Sequence, residues 1–182
     1  MDSELRSFHG VGPRLEETLA EQGIHSAQDL LFHLPARYED RTRVHPIGGL
    51  YPGATIQIEG EVEHSAIVRG RRAMLVVILA DGTGLITLRF FHFRQAQVRQ
   101  LSRGTRLRCY GEVRGGFRGL EMIHPSYRRI LSTSDEALSD RLTPVYPAPG
   151  KIGQATWLKL TDQALELLER GELPLEELLP AG

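Results

Sequence analysis

Two short arginine-glycine segments have the side chains to bind phosphate groups. The first arginine turn is Arg69-Gly70-Arg71-Arg72, and the second arginine turn runs from Arg114 to Gly119 with the sequence RGGFRG. The planar guanidinium of arginine donates paired hydrogen bonds to a phosphate and stacks on bases. The candidate phosphate contacts are Arg69, Arg71, Arg72, Arg114 and Arg118.

The charge of the chain supports this interpretation. Residues 53–130 contain 13 arginines and six carboxylates, whereas the flanking segments 1–52 and 131–182 are both acidic, so the formal net charge of −1 hides a basic middle. Both lysines, Lys151 and Lys159, lie outside that segment. The asymmetry favours a nucleic acid partner, although a basic surface can also bind an acidic protein or keep a domain soluble.

The sequence around the two turns follows the two-residue period of β-strands. Ile56, Ile58 and Val62 alternate with polar residues, and an apolar run follows the first arginine turn. We predict three strands, a short helix and two further strands, over 55–63, 74–80, 85–93, 95–101 (the helix), 105–114 and 120–123. Both arginine turns connect strands in this scheme, and we expect them at the same rim of the sheet.

This order of elements is that of a five-stranded OB barrel, in which the loops between strands one and two and between strands four and five bind nucleic acids. An SH3-like barrel or another small β-barrel fits the same pattern. At 182 residues the chain is long enough to bury a substantial core.

The third predicted strand contains the most specific chemistry. Side chains of a strand alternate between its faces, which assigns one face to Ile86, Leu88 and Phe90 and the other to Thr87, Arg89, Phe91 and Phe93. The first face is apolar and is expected in the core. Aromatic rings beside an arginine on the second face are typical of a surface that stacks on bases. We take Arg89, Phe91, Phe93 and the following Arg94 as candidate DNA contacts.

The two phenylalanines have an alternative assignment, and two further residues of these strands, His92 and Cys109, have structural assignments. Phe91 and Phe93 can instead cover another side of the barrel or pack on the N-terminal helices. The same period places His92 with the core face, as a histidine at the edge of the core rather than a metal ligand. Cys109 shares a face with Leu107 and is expected to be a buried structural thiol.

Helices are predicted at both ends of the chain. Pro13 and Gly23 delimit the first, and Ser26 is a plausible N-cap of the second, which ends before Pro35. The preceding Gly10-Val11-Gly12 turn resembles a helix-hairpin-helix motif, whose backbone N–H groups can bind a phosphate; its alternative is a tight turn that packs two helices. An amphipathic helix with an acidic face follows near the C-terminus.

The expected fold class is therefore α+β, mainly β. It consists of an N-terminal helical hairpin, a five-stranded OB-fold barrel and a C-terminal helix. The predicted segments are 1–52 (hairpin and connector), 53–130 (barrel) and 131–182 (linker and C-terminal helix).

An enzyme site finds no support in the sequence. The one Gly-Lys pair, Gly150-Lys151, is followed by Ile152, and Val145 stands where a P-loop needs its first glycine. No nucleophile with a base and no nucleophile elbow is recognisable. One cysteine excludes an intrachain disulfide or a cysteine-based zinc cluster. We expect no catalytic residue, metal or cofactor in this chain.

Targeting signals are also missing from the sequence. The first residues, Met1-Asp2-Ser3-Glu4, carry neither a basic nor an apolar leader segment, and the longest apolar stretch is far shorter than a membrane span. We expect a cytoplasmic protein without a membrane partner.

Five segments together resemble one protein family. They are GVGP at 10–13, DLLFHLPARYEDRT at 29–42, FFHF at 90–93, EMIHP at 121–125 and LTPVYP at 142–147. In this order they resemble the N-terminal part of the RecG family of bacterial DNA helicases. The resemblance covers essentially all 182 residues, and the family continues into two helicase lobes that this sequence lacks.

The resemblance implies a function in DNA repair and recombination. In that family an OB-fold wedge binds branched DNA, at stalled replication forks and Holliday junctions, and splits the strands during fork regression and branch migration. The motor lobes use ATP and Mg²⁺, so this chain by itself is expected to have no helicase activity. Single-stranded DNA and single-stranded-DNA-binding protein are further expected partners. The alternative is a protein-interaction OB module that docks the latter protein.

The resemblance also implies a role for one aromatic residue. In the family an aromatic of the third barrel strand stacks on the bases at the branch point, and this position corresponds to Phe91. Some members have a second aromatic four residues later, where this chain has Gln95. Phe93 is a candidate substitute on the same predicted face.

Overall fold

The computed structural model describes residues 4–132, 137–147 and 152–173. The Gly150-Lys151 pair lies outside these residues, as do parts of the predicted linker and the last nine residues. The described elements in chain order are 3-10 turn Glu4–Ser7, α1 (Pro13–Ala20), α2 (Ala27–Phe32), β1 (Arg37–Glu39), 3-10 turn Ile47–Gly49, β2 (Thr55–Val68), β3 (Met74–Ala80), β4 (Leu85–Phe90), α3 (Gln95–Gln100), β5 (Arg106–Gly116), β6 (Gly119–Ile123), β7 (Ser126–Arg129), β8 (Thr143–Val145) and α4 (Gln154–Glu169).

The chain forms two compact units, a helical unit of residues 1–39 and 144–182 and a barrel unit of residues 40–143. The sequence pattern places the two ends of the chain in separate segments, 1–52 and 131–182. The structure joins them because apolar side chains from both ends share one core, with Leu19, Leu30, Trp157 and Leu160 fully buried.

Local sequence signals account for the helices of the helical unit. Ser26 caps α2 as predicted: its hydroxyl accepts a hydrogen bond from the N–H of Asp29, and the Asp29 carboxylate accepts one from the N–H of Ser26. Pro13 occupies the first turn of α1. In α4 the predicted apolar stripe is buried at Trp157, Leu160 and Ala164, half-buried at Leu167 and Leu168, and exposed at Leu165.

The barrel unit has the predicted OB topology. Its sheet has the order β2-β3-β4-β6-β5-β7, and β2 also pairs with β5, which closes the barrel. The helix α3 lies between β4 and β5 in the chain, and the apolar core of the barrel includes Ile58, Val77, Leu88, Leu107 and Met122, all inaccessible to solvent. The prediction of a mainly β, α+β fold with a five-stranded barrel is confirmed.

Several strand boundaries differ from the sequence prediction. The first barrel strand, β2, continues to Val68, because an irregularity between Val62 and His64 bends it from a pairing with β5 to a pairing with β3. The chain also forms β7, which pairs with β5, and the pair β1 and β8. These three strands have three or four residues, too few for alternation to identify them.

The third barrel strand, β4, ends at Phe90, three residues earlier than predicted. Arg94 then caps α3, so the chain must turn between these two residues and the alternation stops. The prediction for His92 is therefore wrong, because its side chain is exposed rather than at the edge of the core. Phe93 is half-buried and packs against the barrel core, so the predicted common face of Phe91 and Phe93 is also wrong.

Cys109 is fully buried in the barrel core, as predicted. Burial raises the pKa of its thiol to about 12, which keeps the group protonated and unreactive at neutral pH.

Candidate nucleic-acid interface

The outer surface of β3 and β4 carries the face that the sequence pattern assigns to DNA. Within β4 the predicted alternation is confirmed, since Ile86, Leu88 and Phe90 are buried while Thr87 and Arg89 are half-buried. Val76 of β3 lies opposite Arg89, and Ile78 lies opposite Thr87. The outer face is therefore partly apolar, with Arg89 as its cation.

Arg89 is engaged by a neighbouring carboxylate. Its Nε lies 2.6 Å from Oε2 of Glu121, and its Nη1 lies 3.5 Å from the sulfur of Met74. Both charged side chains are mostly buried, with exposed fractions of 22% and 15%. Glu121 thus neutralises much of the charge that Arg89 would offer to a phosphate. The sequence does not reveal this pair, because it depends on the parallel pairing of β6 with β4.

Phe91 follows β4 directly and is held by His124. The backbone N–H of Phe91 donates a hydrogen bond to Nε2 of His124 at 3.2 Å, and the two ring centroids lie 5.7 Å apart. The backbone N–H of His124 donates to the carbonyl of Arg89 at 2.9 Å. His124 therefore fixes the chain on both sides of Phe90, and Phe91 itself is half-buried.

His124 has an unusual backbone conformation. Its φ of 47° is the one positive φ at a non-glycine residue among those that the structure describes. Such a conformation costs about 1–3 kcal/mol and is typical of functional sites. Its ring also stacks on the ring of His92, with centroids 5.9 Å apart and an interplanar angle of 24°. His124 belongs to the EMIHP segment, but no pattern in the sequence indicates its role.

The first arginine turn lies beside Phe91. It connects β2 to β3, and Gly70, Arg71, Arg72, Met74 and Phe91 line one shallow groove. Arg69, Arg71 and Arg72 are exposed, and none of them makes a side-chain hydrogen bond or ion pair with the described part of the chain. The structure thus brings a half-buried aromatic side chain together with two guanidinium groups that are available to a ligand.

The second arginine turn forms the tip of the hairpin between β5 and β6. Gly116 pairs with Gly119, and the two residues between them, Phe117 and Arg118, are exposed. Gly119 has a φ of 113°, which favours glycine. Arg114 is already paired, with its Nη2 2.7 Å from Oε2 of Glu112. Of the two candidate arginines in this turn, Arg118 is the one without a carboxylate partner among the described residues.

The two arginine turns do not share a rim, which corrects the sequence expectation. The first turn lies near the end of β4, because Leu75, just after it, is opposite Phe90. The second turn lies near the start of β4, because β6 runs parallel to β4 with Glu121 opposite Thr87. The turns therefore flank the outer face of β4 at opposite ends.

The two remaining candidates lie beside α3. Arg94 is exposed at the N-cap of that helix, and it lines a groove together with Phe93, Gln97, Gln100 and Tyr127. This groove is formed by residues other than those around the first arginine turn.

Two further observations concern the described residues only. They include no helix that is both long and apolar enough to cross a membrane. They also include no group of three or more histidine, cysteine, aspartate or glutamate side chains placed to hold a metal ion.

Comparison with known proteins identifies the family. A family model of the RecG wedge domain matches residues 4–168. The ATP-dependent DNA helicase RecG of Escherichia coli K12 is 48% identical over 176 residues, which are 97% of this chain and 25% of that protein. RecG of Pasteurella multocida is 44% identical over 176 residues, with the same coverage of both chains.

A solved structure has the same fold. The structure of RecG bound to a three-way DNA junction matches this chain with a TM-score of 0.73 and 23% identity, over 99% of this chain and 24% of that one. The chain spans about a quarter of the length of the relatives it matches. These matches agree with the resemblance seen in the sequence, and the chain belongs to the RecG wedge domain family.

Proposed function

We propose that this chain is the DNA-junction-binding wedge of a RecG-type helicase. It binds branched DNA, such as stalled replication forks and Holliday junctions, and separates the strands while a motor moves the duplex. The relatives are named ATP-dependent DNA helicase RecG, and the solved relative is bound to a three-way junction. The observation that carries the proposal is that the half-buried Phe91 lines one groove with Arg71 and Arg72, whose guanidinium groups are available.

This arrangement suits a point where paired strands separate. Unpaired bases present their flat faces to an aromatic ring, and stacking on such a ring contributes about 1–3 kcal/mol per base without demanding a sequence. Arginines of the first turn, 69–72, then neutralise nearby phosphates. The hydrogen bond from the backbone N–H of Phe91 to His124 holds the backbone that carries the ring before DNA binds.

Catalysis belongs to the motor in this proposal. ATP and Mg²⁺ are bound there, and this chain contributes binding and strand separation without a cofactor or catalytic residue of its own. The purified chain is therefore expected to have no DNA-stimulated ATP hydrolysis and no unwinding activity. ATP hydrolysis or unwinding activity that co-purifies with this chain over several columns would contradict the assignment of catalysis to the motor.

The binding proposal is tested by titration of the chain with a fork, a duplex and a single strand of equal length. Each titration is made at two salt concentrations. We expect the fork to bind most tightly and all affinities to fall steeply with salt, because phosphate contacts release counterions. Equal affinity for fork and duplex would contradict a junction-binding wedge.

A second candidate partner is single-stranded-DNA-binding protein. The groove around Gly70, Met74 and Phe91 is apolar, with Arg71 and Arg72 at its edge, which also suits an acidic tail or a proline-containing linker. Binding of that protein without any preference for branched DNA, and competition for it by an acidic peptide, would favour this alternative.

A further inference from the structure

The tip of the β5–β6 hairpin carries an aromatic side chain that the fold does not use. Phe117 is 100% exposed and contacts none of the barrel core. It occupies a two-residue connection between Gly116 and Gly119 in which the positive φ is at Gly119, so the position of Phe117 accepts most residue types and does not require phenylalanine. Neither packing nor turn geometry therefore explains a phenylalanine at this position.

The charge around Phe117 is positive. The β5–β6 hairpin carries two carboxylates, and both are paired, Glu112 with Arg114 and Glu121 with Arg89. Gly116 makes room for the second pair, because a Cβ there would clash with the carboxylate of Glu121. Arg118 is exposed and has no such partner among the described residues, so the hairpin tip offers one aromatic face and one available guanidinium.

The same combination occurs at the other end of β4. Phe91 and the first arginine turn lie near the end of that strand, and Phe117 and Arg118 lie near its start. At ~3.3 Å per residue, the length of β4 separates the two rings by on the order of 20 Å along the outer face. OB folds bind about 4–16 nucleotides, so one single strand can span both rings.

We propose that Phe117 is a second base-stacking contact, for single-stranded DNA that leaves the branch point at Phe91. The ring of Phe117 stacks on a base several nucleotides from the branch, and Arg118 contacts the adjoining phosphate. The two ends of the outer face then hold one strand in an extended path away from its complement. This inference rests on the proposed function, because it assumes that the branch point lies at Phe91.

The proposal predicts that the effect of Phe117 depends on the length of the single strand. Forks with an oligothymidine arm of about 3 or about 12 nucleotides are titrated with the parent chain and with Phe117→Ala. With the long arm, Phe117→Ala should weaken binding about tenfold, because alanine offers no ring on which the base can stack. With the short arm, the variant should bind like the parent, because the strand does not reach the hairpin.

Two further variants and a control sharpen the test. Phe117→Trp should restore tight binding of the long arm, whereas Phe117→Leu should not, because an aliphatic side chain has no aromatic face to stack on a base. Phe32→Ala serves as the matched control, since Phe32 is 60% exposed on α2 in the helical unit. The melting temperature of all these variants should equal that of the parent.

The outcomes separate this inference from the proposed function. If Phe117→Ala binds the long arm like the parent while Phe91→Ala binds every fork more weakly, the second contact is wrong and the branch-point contact stands. If Phe91→Ala also binds like the parent, the proposed function fails with it. A lower melting temperature of Phe117→Ala, or full binding by Phe117→Leu, would likewise overturn a stacking role.

Discussion

The backbone N–H of Phe91 donates a hydrogen bond to Nε2 of His124, and His124 in return donates its own N–H to the carbonyl of Arg89. These two hydrogen bonds tie the end of β4 to the segment after β6. They form although His124 must adopt a φ of 47° to make them. His124 is thus a positioning residue for Phe91, and this role can be tested separately from DNA contact.

We predict that His124→Gly leaves the barrel folded but weakens fork binding. Glycine adopts a positive φ without strain, so the variant removes the imidazole and its acceptor nitrogen while it keeps the backbone path. His124→Ala should be less stable than His124→Gly by about 1 kcal/mol, because alanine is strained at this φ. Thermal melts and fork titrations of both variants provide the measurement. A His124→Gly chain that binds forks like the parent would show that Phe91 needs no such support.

The neighbouring residue, Phe90, should have the opposite profile. It is 2% exposed in the barrel core and meets the rings of His124 and Tyr127 edge to face. Phe90→Ala should therefore destabilise the chain by about 3–5 kcal/mol through the cavity it leaves. Urea unfolding measures this destabilisation, with Phe91→Ala as the matched comparison, which should cost clearly less because Phe91 is half-buried outside the core cluster. Equal destabilisation by both variants would mean that Phe91 contributes as much to the core as Phe90 does.

The first arginine turn should determine part of the salt dependence of binding. If Arg71 or Arg72 binds a phosphate of duplex DNA, its replacement by alanine should lower the slope of log affinity against log salt by about 0.9 per phosphate. Arg37→Ala is the control, because it removes one exposed arginine from the helical unit, where Arg37 pairs with Glu39. A slope that responds equally to Arg37→Ala and Arg71→Ala would place the DNA elsewhere.

Asp81 should make barrel stability depend on pH. Its carboxylate accepts hydrogen bonds from the N–H groups of Ile47, Thr83 and Gly84 and from the Thr83 hydroxyl. Burial raises the pKa of Asp81, but the hydrogen bonds together lower it by more than burial raises it. The pKa therefore lies below its ordinary value of 3.8. A carboxylate with a lowered pKa stabilises the fold at every pH above its ordinary, unfolded-state pKa. This stability is lost as the pH falls through the lower pKa of the folded state.

Asp81→Asn should therefore cost about 1 kcal/mol near neutral pH, a value reduced by the exposure of the site to water. The difference from the parent should shrink as the pH falls below about 4. Urea unfolding of both chains across this range is the measurement. A difference that stays constant with pH would show that the ionised carboxylate contributes no stability.

Short-range patterns in the sequence predict much of the barrel. The period of two correctly assigns Ile86, Leu88 and Phe90 to the core, because these residues lie in one regular strand. The same rule fails for His92 and Phe93, because β4 ends before them and the chain turns toward α3. The residue at which a strand ends is decided by tertiary packing, which alternation does not report.

Contacts between segments that are distant in the sequence cannot be predicted from its local pattern. The pairing of Arg89 with Glu121 and the support of Phe91 by His124 both depend on β6 lying parallel to β4. The relative position of the two arginine turns depends on the pairing of β4 with both β3 and β6. The sequence pattern could identify the candidate residues, but the side chains that pair with them could be identified only from the fold.

The most direct test of the central claim compares Phe91→Ala with the parent in titrations of a fork and of a plain duplex, with Phe32→Ala as the control. We expect Phe91→Ala to weaken binding of the fork by about 1–3 kcal/mol and to change binding of the duplex little, with a smaller loss of stability than Phe90→Ala. Parental affinity of Phe91→Ala for the fork, or equal weakening on fork and duplex, would contradict recognition of the branch point by Phe91.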